Sequence, residues 1–200
     1  MSTWMQGMTA MIPTSDQCFD LMKKCGMLDN IKAHSIVVEQ VASLIARHLR
    51  QAGENLVLEK VTAGALMHDI AKTMCLRTKQ DHAMKGKEIC VDHRFFEIAD
   101  IVAEHIVLVD YDSHNGVREK EIVYYADKRV NHDVVVSLEE RLEYLLAHYG
   151  RNKKSLRQLI RKNFSLCKEV ETKIFSRLTF HPEEVGVMIG QQGTEIGEAG

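Results

Sequence analysis

Residues 65–72 read Ala-Leu-Met-His-Asp-Ile-Ala-Lys, so that a histidine and an aspartate lie together at the end of an apolar run. From Leu58 onward, apolar residues recur every three to four positions, which is typical of a helix with one buried face. A carboxylate in such surroundings is costly unless a cation pairs with it. The stretch therefore predicts a buried helix over residues 58–73 that carries His68 and Asp69 to a polar site inside the protein.

The same apolar spacing continues on both sides of this stretch. The predicted helices span residues 15–25, 30–51, 58–73, 81–92, 95–108, 119–131, 138–149 and 153–175. Ser137 and Glu140 form a capping box ahead of one of them. The only prolines, Pro13 and Pro182, lie near the two ends of the chain and interrupt none of these helices. The predicted fold class is therefore all-α, a helical bundle.

Composition excludes several classes of protein. The chain has 200 residues, a net charge of −2 and 45% hydrophobic residues, so it has no global basic field and we expect no stable nucleic-acid complex. No stretch approaches the ~20 apolar residues needed to span a bilayer, and the N-terminus lacks the features of a signal peptide. The five cysteines have no CxxC spacing. We expect a cytoplasmic protein without a membrane partner, and a homodimer is left open.

Four metal-type side chains follow apolar helical faces. His34 shares a face with valines, an isoleucine and a leucine. His68 and Asp69 end an apolar run, and Asp127 follows an apolar helical turn. A divalent metal would offset the cost of burying both carboxylates. Imidazole and carboxylate ligands together suit Fe, Mn, Co, Ni or Zn. A structural role is sufficient to explain the other isolated histidines, which are His48, His132, His148 and His181.

The order of these residues resembles the HD superfamily of metal-dependent phosphohydrolases. The resemblance covers residues 30–150 and rests on His34, on residues 68–72 (His-Asp-Ile-Ala-Lys) and on Asp127. It implies an all-α HD-domain bundle with a divalent metal held by His34, His68, Asp69 and Asp127. It also implies hydrolysis of a phosphoester or phosphoanhydride bond, in a nucleotide or dinucleotide, by a metal-activated hydroxide.

Two further histidines extend the resemblance to bacterial HD hydrolases with a dinuclear metal centre. His82 and His105 fall between the His-Asp pair and Asp127, where members with two metals carry extra histidines. By this resemblance they hold a second ion, with Asp69 bridging the two. The chain departs from the family at Ala71, where many relatives have glycine, and it lacks the Gly-Tyr-Pro segment of the cyclic-dinucleotide phosphodiesterases.

The predicted roles of the basic residues follow from the chemistry. Attack at phosphorus builds negative charge, and Lys72, one turn after His68, is placed to neutralise it. With Asp69, Lys72 is thus a catalytic candidate, and Lys72, Lys128 and Arg129 are candidates for binding substrate phosphates. The loop 109–116 either rims the site or is an ordinary polar loop. The alternative function is a metal- and nucleotide-binding regulatory module without turnover.

The predicted organisation has four segments. They are an N-terminal helical segment 1–29, the phosphohydrolase domain 30–150, a C-terminal helical extension 151–180 and a loosely ordered tail 181–200. Within the extension, the basic run 151–162 is either the solvated face of a helix or a phosphate contact. Leu156, Leu159 and Ile160 supply the apolar stripe that favours the helix.

Overall fold

The computed structural model describes residues 11–150 and 153–197, with side chains up to residue 191, and helices make up most of this part of the chain. Its helices are α1 (Ser15–Lys24), α2 (Asp29–Gln51), α3 (Leu58–Met67), α4 (Lys72–Thr78), α5 (His82–Asp92), α6 (Phe96–Glu104), α7 (Glu119–Lys128), α8 (Leu138–His148), α9 (Lys154–Phe175) and α10 (Val185–Gly197). A two-residue hairpin pairs β1 (Val130–Asn131) with β2 (Val134–Val135), and a 3₁₀ turn spans Pro182–Glu184. The all-α prediction is confirmed.

The centre of the bundle is the pair α2 and α3, with α7 packed across both of them. Helix α2 is buried along one side, with Val38, Val41 and Ile45 fully inaccessible. Helix α6 packs on α3 and α7, and α5 packs on α6. Burial of this apolar surface stabilises the bundle, and it also brings the ends of α3, α5, α6 and α7 to one place.

Two glycines permit the close approach of α6 to its neighbours. A Cβ atom on Gly64 of α3 would lie 2.6 Å from Cγ2 of Ile101 on α6. A Cβ atom on Gly86 of α5 would lie 2.7 Å from Cγ1 of Val102. Because Gly64 and Ile101 each lie four residues before a histidine, this contact sets the distance between His68 and His105.

The prediction of one continuous helix over 58–73 is wrong at His68 and Asp69, which lie in a turn. Helix α3 ends at Met67, a turn follows, and α4 begins at Lys72. Within the turn, the amide of Ile70 donates to the carbonyl of Met67 at 3.0 Å, so i to i+3 bonds replace the α-helical pattern. The continuous apolar pattern hid the break because Ile70 is also fully buried.

The predicted helix over 119–131 also ends too late. Helix α7 stops at Lys128, and the chain enters the hairpin, in which His132 has a φ of 57°. The β-branched valines of residues 130–136 favour extended pairing over helix. This hairpin packs on α2, and the carbonyl of His132 contacts Nδ1 of His34 near the start of that helix.

The C-terminal region differs from the expected loose tail. Residues 182–197 form the 3₁₀ turn and α10, and Val185 is fully buried there. The described part of the basic run is mostly exposed, which agrees with a solvated helix face, but Leu159 is 63% exposed and does not join a buried stripe. Residues 1–10, 151–152 and 198–200 of the predicted segments lie outside the described residues. None of the described helices combines the length and apolar character needed to cross a bilayer.

Candidate metal centre

Three of the predicted ligands meet where α2, α7 and the turn after α3 come together. Nε2 of His34 lies 3.1 Å from Oδ1 of Asp127, and Nε2 of His68 lies 3.7 Å from the same oxygen. Their possible ligand atoms all lie within 4.8 Å of one another, which is compact enough for one metal ion. We call this set the first triad.

The other three predicted ligands form a second triad of the same compactness. It consists of Asp69 in the turn, His82 at the start of α5 and His105 directly after α6. Nε2 of His82 lies 3.2 Å from Oδ1 of Asp69, and Nε2 of His105 lies 3.5 Å from it. The structure thus brings together all six residues that were predicted to bind metal.

The carboxylate of Asp69 joins the two triads. Its Oδ1 faces His82 and His105, whereas its Oδ2 lies 3.4 Å from Nε2 of His68, a member of the first triad. The side chain is only 2% exposed, so few other orientations are open to it. A carboxylate with one oxygen toward each group has the placement that a bridging ligand needs.

Backbone carbonyls orient three of the four imidazoles. Nδ1 of His34 contacts the carbonyl of His132, Nδ1 of His68 that of Ala65, and Nδ1 of His105 that of Val102, each at 2.7 Å. A carbonyl can only accept, so in all three rings Nδ1 donates, and in the neutral ring the lone pair is on Nε2, directed into the site. This is the usual arrangement around histidine ligands of metals. No sequence pattern could have indicated these carbonyls.

One buried atom, Nε2 of His68, indicates that these residues fit a metal ion. Nε2 of His68 is buried and has no hydrogen-bond partner in the described structure. Buried polar atoms are nearly always paired, and an unpaired one has a free-energy cost. Carboxylate oxygens of Asp69 and Asp127 lie 3.4 and 3.7 Å from Nε2 of His68, and they cannot donate when ionised. A cation between these atoms would satisfy all three side chains.

The charges of the site favour ionised carboxylates. Burial opposes ionisation of Asp69 and Asp127, but the surrounding imidazoles, and Lys128 beside Asp127, hold the pKa of both carboxyl groups well below the usual range. Burial also lowers the pKa of His105. For His68, burial works toward a lower pKa, but the two carboxylates outweigh it and raise the pKa. Anionic oxygens facing imidazoles in a buried site form a donor set suited to a divalent metal.

The three basic residues that were predicted to bind phosphate lie in different places in the structure. Lys72 is at the site, with Nζ 2.7 Å from Oδ2 of Asp69 and 36% of its side chain exposed. Lys128 is also there, but it is buried, 3.3 Å from Oδ2 of Asp127, and it donates to the carbonyl of His105. The structure therefore places both lysines against carboxylates of the two triads rather than in open solvent.

Arg129, the third of these residues, lines neither cavity, and the structure gives the prediction that it binds substrate no support. Its Nε donates to the carbonyl of Val136 at 2.6 Å, and its Nη2 donates to that of Pro182 at 2.9 Å. Residues two apart on a helix point about 200° apart, so the geometry that turns Asp127 inward turns Arg129 away. Arg129 instead attaches the hairpin and the C-terminal 3₁₀ turn to the bundle.

A cavity of about 410 Å³ opens beside the second triad. Part of its lining comes from α8 and α9 and includes the apolar side chains of Leu145, Ile160 and Phe164. A smaller cavity of about 230 Å³ lies beside His34 of the first triad. Sequence reasoning missed the wall residues because an apolar side chain on a helix gives no sign of whether it faces the core or a cavity.

The loop 109–116 lines neither cavity. Its side chains bond to one another, as when Asn115 donates to Oδ2 of Asp112 at 2.7 Å, and Lys173 of α9 holds the carbonyl of Asp112 at 2.8 Å. The alternative of an ordinary polar loop is the one that the structure supports.

Comparison with known proteins identifies the family. Residues 31–132 match the HD domain family, and this segment contains all six residues of the two triads. The chain is 34% identical over 99 residues to the tRNA (cytidine(56)-2'-O)-methyltransferase of Thermoplasma volcanium, which is 48% of this chain and 26% of that protein. The chain thus spans about a quarter of that relative. It is 17% identical to the crystal structure of a predicted HD superfamily hydrolase from an uncultured Thermotogales bacterium, with a TM-score of 0.47 over 82% of this chain and 92% of that one. Because the family match extends over half of the chain, this protein belongs to the HD domain family.

Proposed function

We propose that this protein is a metal-dependent phosphohydrolase whose two triads hold two divalent transition-metal ions. The unpaired Nε2 of His68, facing two carboxylates, is the observation that carries the proposal. The first triad would hold one ion and the second triad the other, with Asp69 shared between them. Six ligands divided in this way leave positions at each ion for water and for substrate.

Bound divalent ions supply a nucleophile at neutral pH and polarise the phosphoryl oxygens. The protein's own residues then have distinct tasks. Asp69 is held in one orientation by burial, and its two oxygens face the first and the second triad. Lys72 is placed to neutralise the negative charge that develops on the phosphate, because it lines the cavity beside Asp69 and its side chain is partly exposed. Lys128, which is buried, holds Asp127 in position.

The cavity supports a small phosphorylated substrate, such as a nucleotide. Its lining combines basic side chains with the apolar side chains from α8 and α9, which suits a molecule with an anionic part and a flat or apolar part. The methyltransferase activity in the name of the Thermoplasma relative is not proposed for this chain, since the match is to about a quarter of that protein. The second candidate is the regulatory module, which would bind metal and nucleotide without turnover.

The test combines metal analysis with an activity panel. Protein purified with Mn²⁺ or Co²⁺ should contain about two ions per chain and should hydrolyse bis-p-nitrophenyl phosphate and at least one nucleotide of a panel. An Asp20→Ala variant, in which the changed carboxylate is exposed on α1, is the matched control for changes at Asp69. Two bound ions with nucleotide binding but no hydrolysis would favour the regulatory module, and failure to bind any divalent ion would contradict both.

A further inference from the structure

Three basic side chains line the cavity, and one of them lacks an acidic partner. Lys72 is paired with Asp69, and Lys128 is paired with Asp127. Arg141 of α8 lines the same cavity, but no carboxylate of the described chain lies within ion-pair distance of it. A guanidinium group in a partly closed space without a counter-ion is a candidate for binding an anion.

Arg141 is held in place by neutral groups. Its Nη1 donates to Oδ1 of Asn131 in the hairpin at 2.7 Å, and its guanidinium carbon lies 5.6 Å from the centre of the Tyr144 ring. Its Nε is buried and has no hydrogen-bond partner in the described structure. The side chain is therefore oriented, yet it keeps an unsatisfied donor, which has a free-energy cost unless a ligand accepts from it.

The position of Arg141 relative to the metal centre is distinctive. Together with Lys72 and Tyr149, it lines both the larger cavity beside the second triad and the smaller one beside the first. Arg141 thus lies where the two cavities meet, on a helix that contributes none of the six proposed ligands. It also lies outside the segment that matches the HD domain family, which ends at residue 132.

We propose that Arg141 binds a second phosphate of the substrate, next to the phosphate that is attacked at the metal centre. The substrate class is then a compound with at least two neighbouring phosphates, such as a nucleoside diphosphate or triphosphate. The planar guanidinium can donate two parallel hydrogen bonds to a phosphate, a geometry that a lysine cannot reproduce. Asn131 is a positioning residue that orients the guanidinium group of Arg141. This inference rests on the proposed hydrolase function.

Binding of uncleavable analogues tests the inference without turnover. Isothermal titration of the Co²⁺-loaded protein would compare methylenediphosphonate, which has two phosphonate groups, with methylphosphonate, which has one. In Arg141→Gln, we expect the Kd for the diphosphonate to rise at least about tenfold more than the Kd for methylphosphonate, since hydrogen bonds to charged groups contribute this much. Arg141→Lys should show an intermediate rise in the Kd for the diphosphonate, because it keeps the charge but cannot donate two parallel hydrogen bonds.

The matched control is Arg50→Gln, which removes the same charge from an exposed position on α2. That residue lies about 24 Å along the helix from His34, since α2 rises about 1.5 Å per residue. It should change neither Kd. Equal losses for both analogues in Arg141→Gln, or no loss for either, would overturn the inference.

Kinetics give a second, independent measurement. With ADP and p-nitrophenyl phosphate as substrates, Arg141→Gln should lower the ratio of the two kcat/KM values, ADP over p-nitrophenyl phosphate, at least about tenfold, mainly through the KM for ADP. An unchanged ratio would contradict the inference even if the enzyme is active. If the wild-type protein hydrolyses nothing but the analogue titrations depend on Arg141 as expected, the anion site stands and the proposed hydrolase function fails.

Discussion

The two triads differ in how firmly the protein holds them. In the first triad, both histidines are buried and have Nδ1 bonded to a backbone carbonyl, and Asp127 lies on the central helix α7. In the second triad, His82 is 24% exposed at the first position of α5, and in the described chain no backbone carbonyl accepts from its Nδ1. A preorganised ligand set binds an ion at a smaller entropic cost. We therefore expect the first triad to hold its ion more tightly than the second.

The largest loss of activity is expected from replacing Asp69, the residue that the two triads share. Asp69→Ala should lower kcat/KM by more than about a hundredfold, because loss of even an outer-shell partner costs tenfold to a hundredfold. Metal content should fall at both triads, while helical circular dichroism remains. Asp20→Ala should match the wild type. If Asp69→Ala still hydrolyses the substrates of the wild type, Asp69 is not part of the site and the two triads are not joined through it.

The next change separates the triads. His105→Ala should lose the ion of the second triad and most of the activity, and it should retain one ion on His34, His68, Asp69 and Asp127, as counted by elemental analysis. His93→Ala is the control, because that histidine also bonds a helix carbonyl, at 2.9 Å from Ile89, but lies outside both triads. Unchanged stoichiometry and rate in His105→Ala would show that the histidine is structural.

Stepwise chelation measures the difference in affinity. Titration with a chelator should remove the two ions in two phases, and His82→Ala should abolish the first phase if the second triad is the weaker one. Complete removal should lower the Tm by about 10 to 20 °C, which is twice the shift for one ion present at about a hundredfold its Kd. A Tm that is the same with and without metal would contradict both proposed ion sites.

The smallest effect is expected from Gly64→Ala, which tests how helix packing supports the second triad. Gly64→Ala would place a Cβ atom 2.6 Å from Ile101, so we expect a loss of about 1 to 3 kcal/mol in the free energy of unfolding. Because His105 directly follows the displaced α6, metal affinity at the second triad should also fall, whereas the first should be little changed. Gly190→Ala is the matched control, since no atom lies within 4 Å of its would-be Cβ. Equal stability of the two variants, measured by urea unfolding, would show that α6 tolerates the shift.

Most of the helices and the six candidate ligands can be predicted from the amino-acid sequence. Apolar periodicity is a local signal, and it places His34 and His105 on inward faces, where both are buried. The family resemblance supplies the pairing of these histidines with Asp69 and Asp127. Arg129 shows the limit of this reasoning, because adjacency to a ligand in sequence says little about direction around a helix.

The amino-acid pattern alone determined the helical fold class and the inward-facing candidate ligands, because both depend on residues a few positions apart. It also determined the resemblance to the HD superfamily, which depends on the order of a few residue types along the chain. Only the tertiary structure decided the break after Met67, the division of six candidate ligands into two triads and the meeting of Arg141 with Lys72 at the cavity. The helices that meet at the site are far apart in sequence, and their close approach depends on packing such as that of Gly64 against Ile101. Long-range contacts of this kind are fixed by the shape of the whole core, which no local pattern records.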